Sequence, residues 1–213
     1  YKVKMGITQK SLKEFFKNLE DINYYVFGGI ALDSIKGYLT REHDDVDLIV
    51  DLSNKNLLIE RLKQKGFVVE IDEEGLIKLK KRNFKVDILV FFKKSNKIFI
   101  DGRRAKIEIP FDFFKEENIG QVGDLKFKIV PKEFLVRTIL YYNNEKDRMF
   151  LISLSKNLDL NRIKKIKYLC KRDSKDLKLK KIRIRNQKLE KNYGINFLTF
   201  ERLALRNNNK NEI

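Results

Sequence analysis

A chain of 213 residues with 42% apolar composition can bury a substantial core, as one large domain or two small ones, and is not a disordered polypeptide. A single cysteine, Cys170, excludes an internal disulfide framework. No uncharged apolar run reaches membrane-spanning length and no signal-peptide pattern opens the sequence, so composition predicts a soluble cytoplasmic protein with no membrane partner. The net charge of +17 is uneven, because residues 151–213 hold 18 Lys+Arg against 6 Asp+Glu. Such a basic region points to an anionic partner, nucleic acid or nucleotide phosphate, or else to a solvated lysine-rich surface.

Along the chain, Leu12, Phe15, Phe16 and Leu19 give residues 8–20 one apolar helical face. Tyr24 to Phe27 reads as a short strand broken by Gly28-Gly29, and a brief helix through Leu32 and Ile35 closes at Gly37. Val46 to Val50 is a second strand. Ser53 or Asn54 is placed to cap a helix over 55–65, with Leu57, Leu58 and Leu62 as its face and Gly66 as its stop. Short strands follow at 67–71, 76–79, 85–92 and 97–100, the first two joined by the turn 72–75, and another extended stretch lies near 126–130. Pro131 opens a region whose pattern is helical to about residue 206, broken near Gly194, with partial alternation at 178–185 leaving room for a strand. The expected fold class is α+β: a mixed twisted sheet with flanking helices over 1–130, then a strongly basic helical domain over 131–213.

The chemistry concentrates at residues 40–47, Thr-Arg-Glu-His-Asp-Asp-Val-Asp. In an extended strand, alternate side chains share a face, so Asp45 and Asp47 project together while Val46, Leu48 and Val50 pack behind them. Arg41 and His43 join that face if the extension begins earlier. Asp87 is a lone carboxylate in another apolar run, pointing with Lys85 and Leu89. Like charges crowded on one face need a cation, and two strand carboxylates plus a third on a neighbour suit one or two Mg²⁺ ions. Two such ions about 3.5–4 Å apart can grip both the attacking oxygen and a triphosphate. The Gly28-Gly29 pair lets backbone amides approach a phosphate closely, a weak signal alone.

The strings Phe27-Gly28-Gly29-Ile30-Ala31-Leu32-Asp33 and Thr40 to Leu48 resemble the nucleotidyltransferase superfamily of the DNA polymerase beta type. The Arg41-x-His43-x-Asp45-x-Asp47 spacing is similar to its lincosamide and aminoglycoside 2″-nucleotidyltransferase branch. The resemblance covers about residues 20–92. It implies that Gly28 and Gly29 cradle the β- and γ-phosphates of a nucleoside triphosphate and that Asp45 and Asp47 hold Mg²⁺. It further implies that Asp87 ligates a second ion and serves as general base, and that Arg41 and His43 lie beside the phosphates. Pro131, Arg137 and the Lys146-Asp147 pair resemble a C-terminal helical segment whose basic side chains reach the triphosphate. The chain departs from relatives at Ile30, where they carry Trp, and at Phe150, where they carry Asp. Asp33 and Asp44 read as structural or peripheral.

Other classes lack support. Metal-dependent hydrolases commonly use several His ligands, and this chain has one His; phosphate-loop NTPase, serine-hydrolase and Cys-His signatures are missing. The implied activity is NMP transfer from an NTP to an acceptor hydroxyl with release of pyrophosphate. Two acceptors stay open: a small antibiotic-like molecule, or RNA or tRNA reached through the basic region, where Lys164, Lys165, Lys167, Lys171 and Arg172 are expected on one helical stretch. The competing class is a non-catalytic or toxin-like RNA-binding protein with a degenerate site. The sequence leaves the oligomeric state undetermined.

Overall fold

A computed structural model describes residues 6–73, 75–101, 105–115, 118–142, 147, 150, 154 and 159–170. Helix α1 (Gln9–Phe16) starts where the Thr8 hydroxyl accepts from the Ser11 amide and Ser11 reciprocates, a capping box. It buries Leu12, Phe15 and Phe16, and a 3₁₀ turn carries the chain through Leu19 into strand β1 (Tyr24–Phe27). Helix α2 (Gly28–Ser34) follows directly, and strand β2 (Asp45–Asp51) returns antiparallel to β1. Helix α3 (Lys55–Gln64) buries Leu58, Ile59 and Leu62 and ends at Gly66, whose φ of +83° a glycine adopts without strain. Two details differ from expectation. Leu57 faces solvent, and the side chain that caps is Asp51, which accepts from the Ser53 amide to start a 3₁₀ turn ahead of α3.

Strands β3 (Val68–Glu73), β4 (Leu76–Lys81), β5 (Phe84–Lys94), β6 (Lys97–Asp101) and β7 (Ala105–Pro110) form an antiparallel meander. The sheet runs β1-β2-β5-β6-β7 and then a last strand, β10 (Lys167–Cys170), with β3 attached through β4. The β2–β5 pair is parallel. The 11-residue β5 is long enough for β4 to pair along its first half and β6 along its second. Gly75 sits where these two meet, at φ +74°, and a Cβ there would lie 2.0 Å from the Asp101 carbonyl oxygen.

One face of the sheet packs Val46, Leu48, Val50, Val86 and Ile88 against α1 and α3, in a core that also holds Phe15 and Phe67. Strands β8 (Ile119–Val122) and β9 (Leu125–Lys128) form a separate hairpin beside α2, and Phe127 of β9 stacks on Phe16 at 4.7 Å. Helix α4 (Lys132–Tyr142) begins just after Pro131, as expected, and Arg162 of the short helix α5 (Leu160–Lys165) lies over the Phe113 ring at 4.4 Å.

The expectation of a helical pattern from Pro131 to the break near Gly194 fails at β10 (Lys167–Cys170), which pairs antiparallel with β7. An open edge of backbone donors and acceptors on β7 outweighs the helical pattern there. Lys164 and Lys165 therefore end a helix whereas Lys167 opens a strand, so they do not share one helical stretch; Lys171 and Arg172 lie outside the described residues. Strands β7 and β8 add to those expected: β7 alternates buried Ile107 and Ile109 with Lys106 and Glu108, a signal that was available and missed, whereas β8 turns Gly120 inward and leaves Ile119 exposed. Much of 131–213, including the region of expected alternation at 178–185, also lies outside the described residues. Among the described residues no helix is long and apolar enough to cross a membrane.

Gly120 tests the packing of the hairpin on α2. A Cβ at that position would lie 2.2 Å from Ser34 Oγ and 2.7 Å from Ile129 Cγ2. Gly120→Ala is expected to destabilise the fold by about 1–3 kcal/mol, read as a lowered midpoint in thermal unfolding.

Candidate active site

The β2–β5 register sets Asp47 beside Asp87, and the β1–β2 register sets Phe27 beside Asp47. The chain leaves Phe27 with extended backbone and turns at once into α2 through Gly28, at φ +68°. The side chain of Asp47 fills the space a residue larger than glycine would need. A Cβ on Gly28 would lie 2.0 Å from Asp47 Oδ2. At Gly29 a Cβ would lie 2.8 Å from Arg41 Nη2, 2.8 Å from His43 Cε1 and 2.9 Å from His43 Nδ1. The fold thus brings together the glycine pair, Arg41, His43 and Asp47, with Asp45 two residues before Asp47 on the same strand face and Asp87 on the adjoining strand.

A buried carboxylate fixes the loop that makes this possible. Asp33, on α2, accepts from the Thr40 amide at 2.7 Å and from its hydroxyl at 2.5 Å, and its Oδ2 lies 2.8 Å from His43 Nε2. Both His43 and Asp33 are buried, so the imidazole is clamped with its Nδ1 edge toward Gly29. Asp33 reads as structural in the sequence and its contacts are internal. A carboxylate on the apolar face of a short helix is the signal that it needs a buried partner.

Two further residues belong to the site without having been assigned to it. Asp147 accepts from Arg41 Nη2 at 2.9 Å, tying the chain beyond α4 to the return loop. Lys78, opposite Asp87 in the β4–β5 register, places its ammonium on Asp87 Oδ2. Alternation along β4 was the available signal, since buried Ile77 and Leu79 force Lys78 to the carboxylate face. Arg137 is buried on α4, a helix that packs against α2, and Lys146 lies outside the described residues.

The electrostatics favour a cation at Asp45 and Asp47. Burial, then the charges of Asp45 and Asp87, hold the Asp47 carboxyl well above the usual carboxylate range; Lys78 opposes this and Asp147 adds to it. Two oxygen-bearing side chains in a negative field fit a hard divalent ion. The third expected ligand fits less well. Among the described residues no group of three Asp, Glu, His or Cys side chains is arranged to hold an ion, and Asp87 is engaged by Lys78.

Comparison with known proteins places the chain among the nucleotidyltransferases. A profile of the aminoglycoside-2″-adenylyltransferase family matches residues 11–124, more than half of the chain, and the chain belongs to that family. No curated protein sequence matches it. In fold it is similar to the lincosamide antibiotic adenylyltransferase LnuA with lincomycin bound, at TM-score 0.60 and 21% identity over 72% of this chain and 99% of that one. It is also similar to ANT(2″)-Ia in complex with adenylyl-2″-tobramycin, at TM-score 0.56 and 14% identity over 72% of this chain and 91% of that one.

The raised Asp47 carboxyl has a stability signature. Below the ordinary carboxylate range Asp47 is protonated both folded and unfolded and costs nothing. As pH rises through its elevated folded value it ionises against its neighbours, and stability is lost. Without divalent ions, Asp47→Asn is expected to melt a few degrees above the wild type at neutral pH, the gain vanishing below about pH 4. Thermal unfolding across pH in a chelating buffer checks both halves.

Proposed function

We propose that this nucleotidyltransferase transfers AMP from ATP to a hydroxyl of a small-molecule acceptor, in a reaction dependent on a divalent cation. The observation that supports the reading is the contact of Asp47 with Gly28, because it brings the carboxylate we assign to the cation against the glycine pair whose backbone we assign to the phosphates. Gly28 and Gly29 hold the triphosphate through backbone groups, and Arg41 and His43 border Gly29, where they face phosphate oxygens. Arg137 and Lys146 supply positive charge from the C-terminal part of the chain. Asp45 and Asp47 hold the ion. When bound, Mg²⁺ neutralises triphosphate charge and so favours attack on the α-phosphorus.

The acceptor oxygen forms a new bond to the α-phosphorus, and the bond between the α-phosphorus and its bridging oxygen to the β-phosphate breaks. Pyrophosphate departs with the electron pair, and the acceptor's proton passes to Asp87. Positioning and charge compensation supply most of the acceleration.

Asp45, Asp47, Asp87 and Asp147 form an acidic patch inside a protein of net charge +17. At long range the whole protein repels a cation, but within a Debye length of about 8 Å the local carboxylates dominate. That favours a hydroxylated, amine-bearing acceptor, in keeping with the antibiotics bound by the structurally similar adenylyltransferases. Incubation with ATP labelled at the α-phosphate, against separate panels of hydroxylated aminoglycosides, lincosamides and RNA, tests the assignment. Label is expected on a small molecule. Transfer to RNA alone moves the acceptor to the basic region, and transfer to none of them contradicts the reading. Asp45→Asn and Asp47→Asn are each expected to lower turnover at least about a hundredfold with the fold intact by circular dichroism.

A further inference from the structure

Asp87 already holds a cation. Lys78 stands opposite it in the β4–β5 register, flanked on β4 by Ile77 and Leu79, each 1% exposed, so its side chain is committed to the carboxylate face. Its ammonium contacts Asp87 Oδ2, and the pair is only partly open to solvent, at 34% for Lys78 and 20% for Asp87. The lysine reaches the site from an adjacent paired strand, not from a loose surface segment.

A tethered ammonium and a divalent ion cannot share one carboxylate cheaply, because the two cations repel at contact range in a half-buried site. The carboxylates divide accordingly. Asp45 and Asp47 lie on one strand face, with Asp47 seated against Gly28 on the β1 side of β2. Asp87 lies on the other side of Asp47, between β2 and β4, where Lys78 meets it. The lack of any three-ligand group among the described residues agrees with this division.

We propose that Lys78 stands in for a second divalent cation, so that the site binds one ion, through Asp45 and Asp47, next to a fixed Lys78–Asp87 pair. This rests on the nucleotidyl-transfer reading above and sharpens it. Lys78 becomes a positioning residue that compensates the acceptor-side charge, and Asp87 is a ligand to no metal. A lysine offers three N–H donors and one charge on a flexible stem. It can neutralise the carboxylate beside an incoming hydroxyl without demanding the octahedral oxygen shell of Mg²⁺.

Counting bound ions tests this without relying on turnover. Mn²⁺ retained by the full chain, saturated with an ATP analogue that carries a methylene between the α- and β-phosphorus, is measured by electron paramagnetic resonance. The wild type and Lys78→Arg are expected to retain one ion per chain. Lys78→Ala, checked for folding by circular dichroism, is expected to retain two, with the spin–spin broadening of a close Mn²⁺ pair. Two ions in the wild type, or one in a folded Lys78→Ala, overturns the inference and leaves the transferase reading standing. A wild type that retains neither ion nor analogue overturns the transferase reading and this inference with it.

Discussion

The parallel pairing of β2 with β5 is the constraint on which the site depends. Neighbouring strands lie about 4.8 Å apart, so carboxylates set side by side on one face have no room to separate. Asp47 and Asp87 are such a pair, and Asp45 adds a third charge two residues along. Relaxing the repulsion by slipping β2 one residue would turn Val46, Leu48 and Val50 out of the core and Asp45 and Asp47 into it. The apolar face therefore fixes the register, and the register maintains the crowding. Burial of those three aliphatic side chains is worth about 1.5–3 kcal/mol for each, and that is what opposes the slip.

Much of the surrounding structure answers that crowding. Glycine at position 28 admits the Asp47 carboxylate, Lys78 meets Asp87, and Arg41 reaches across to Asp147. The buried Asp33 clamps Thr40 and His43 so that the loop entering β2 returns over Gly29. Each contact is local, yet together they set carboxylates on the β2–β5 side and Arg41 beside the glycines. In the proposed reading, a site poised in this way sacrifices some stability of the unliganded protein to gain affinity for a cation and its phosphate companions. The charge of the whole chain has the opposite sign to that of the carboxylate cluster. Selection among acceptors thus falls to short-range fit and charge within the site rather than to long-range attraction.

The parts of this arrangement that follow period and spacing were legible in the sequence. Alternation along Asp45–Val50 fixed which residues share a face, and the Gly28-Gly29 break after Phe27 located the strand-to-helix turn. The family resemblance in the sequence rested on the same residues. What could not be read depended on pairing between distant strands. Nothing local to Lys78 says that it lies against Asp87, because that contact needs both the parallel β2–β5 alignment and the hairpin register of β4. Asp147 is remote from Arg41 in sequence, and β10 joins the sheet at Lys167–Cys170 inside a stretch whose composition favours helix. Leu57 shows a smaller failure of the same kind: consecutive leucines in a helix cannot both face the core, and the tertiary contacts selected Leu58.

The central claim is that Asp47, held against Gly28, couples cation and nucleotide binding at one place. Titration calorimetry of a non-hydrolysable ATP analogue measures that coupling directly, with wild type and Asp47→Asn each tested in Mg²⁺ and in chelator. Affinity that needs both Mg²⁺ and Asp47, falling together when either is removed, is the expected result. Equal affinity under all four conditions would contradict the account.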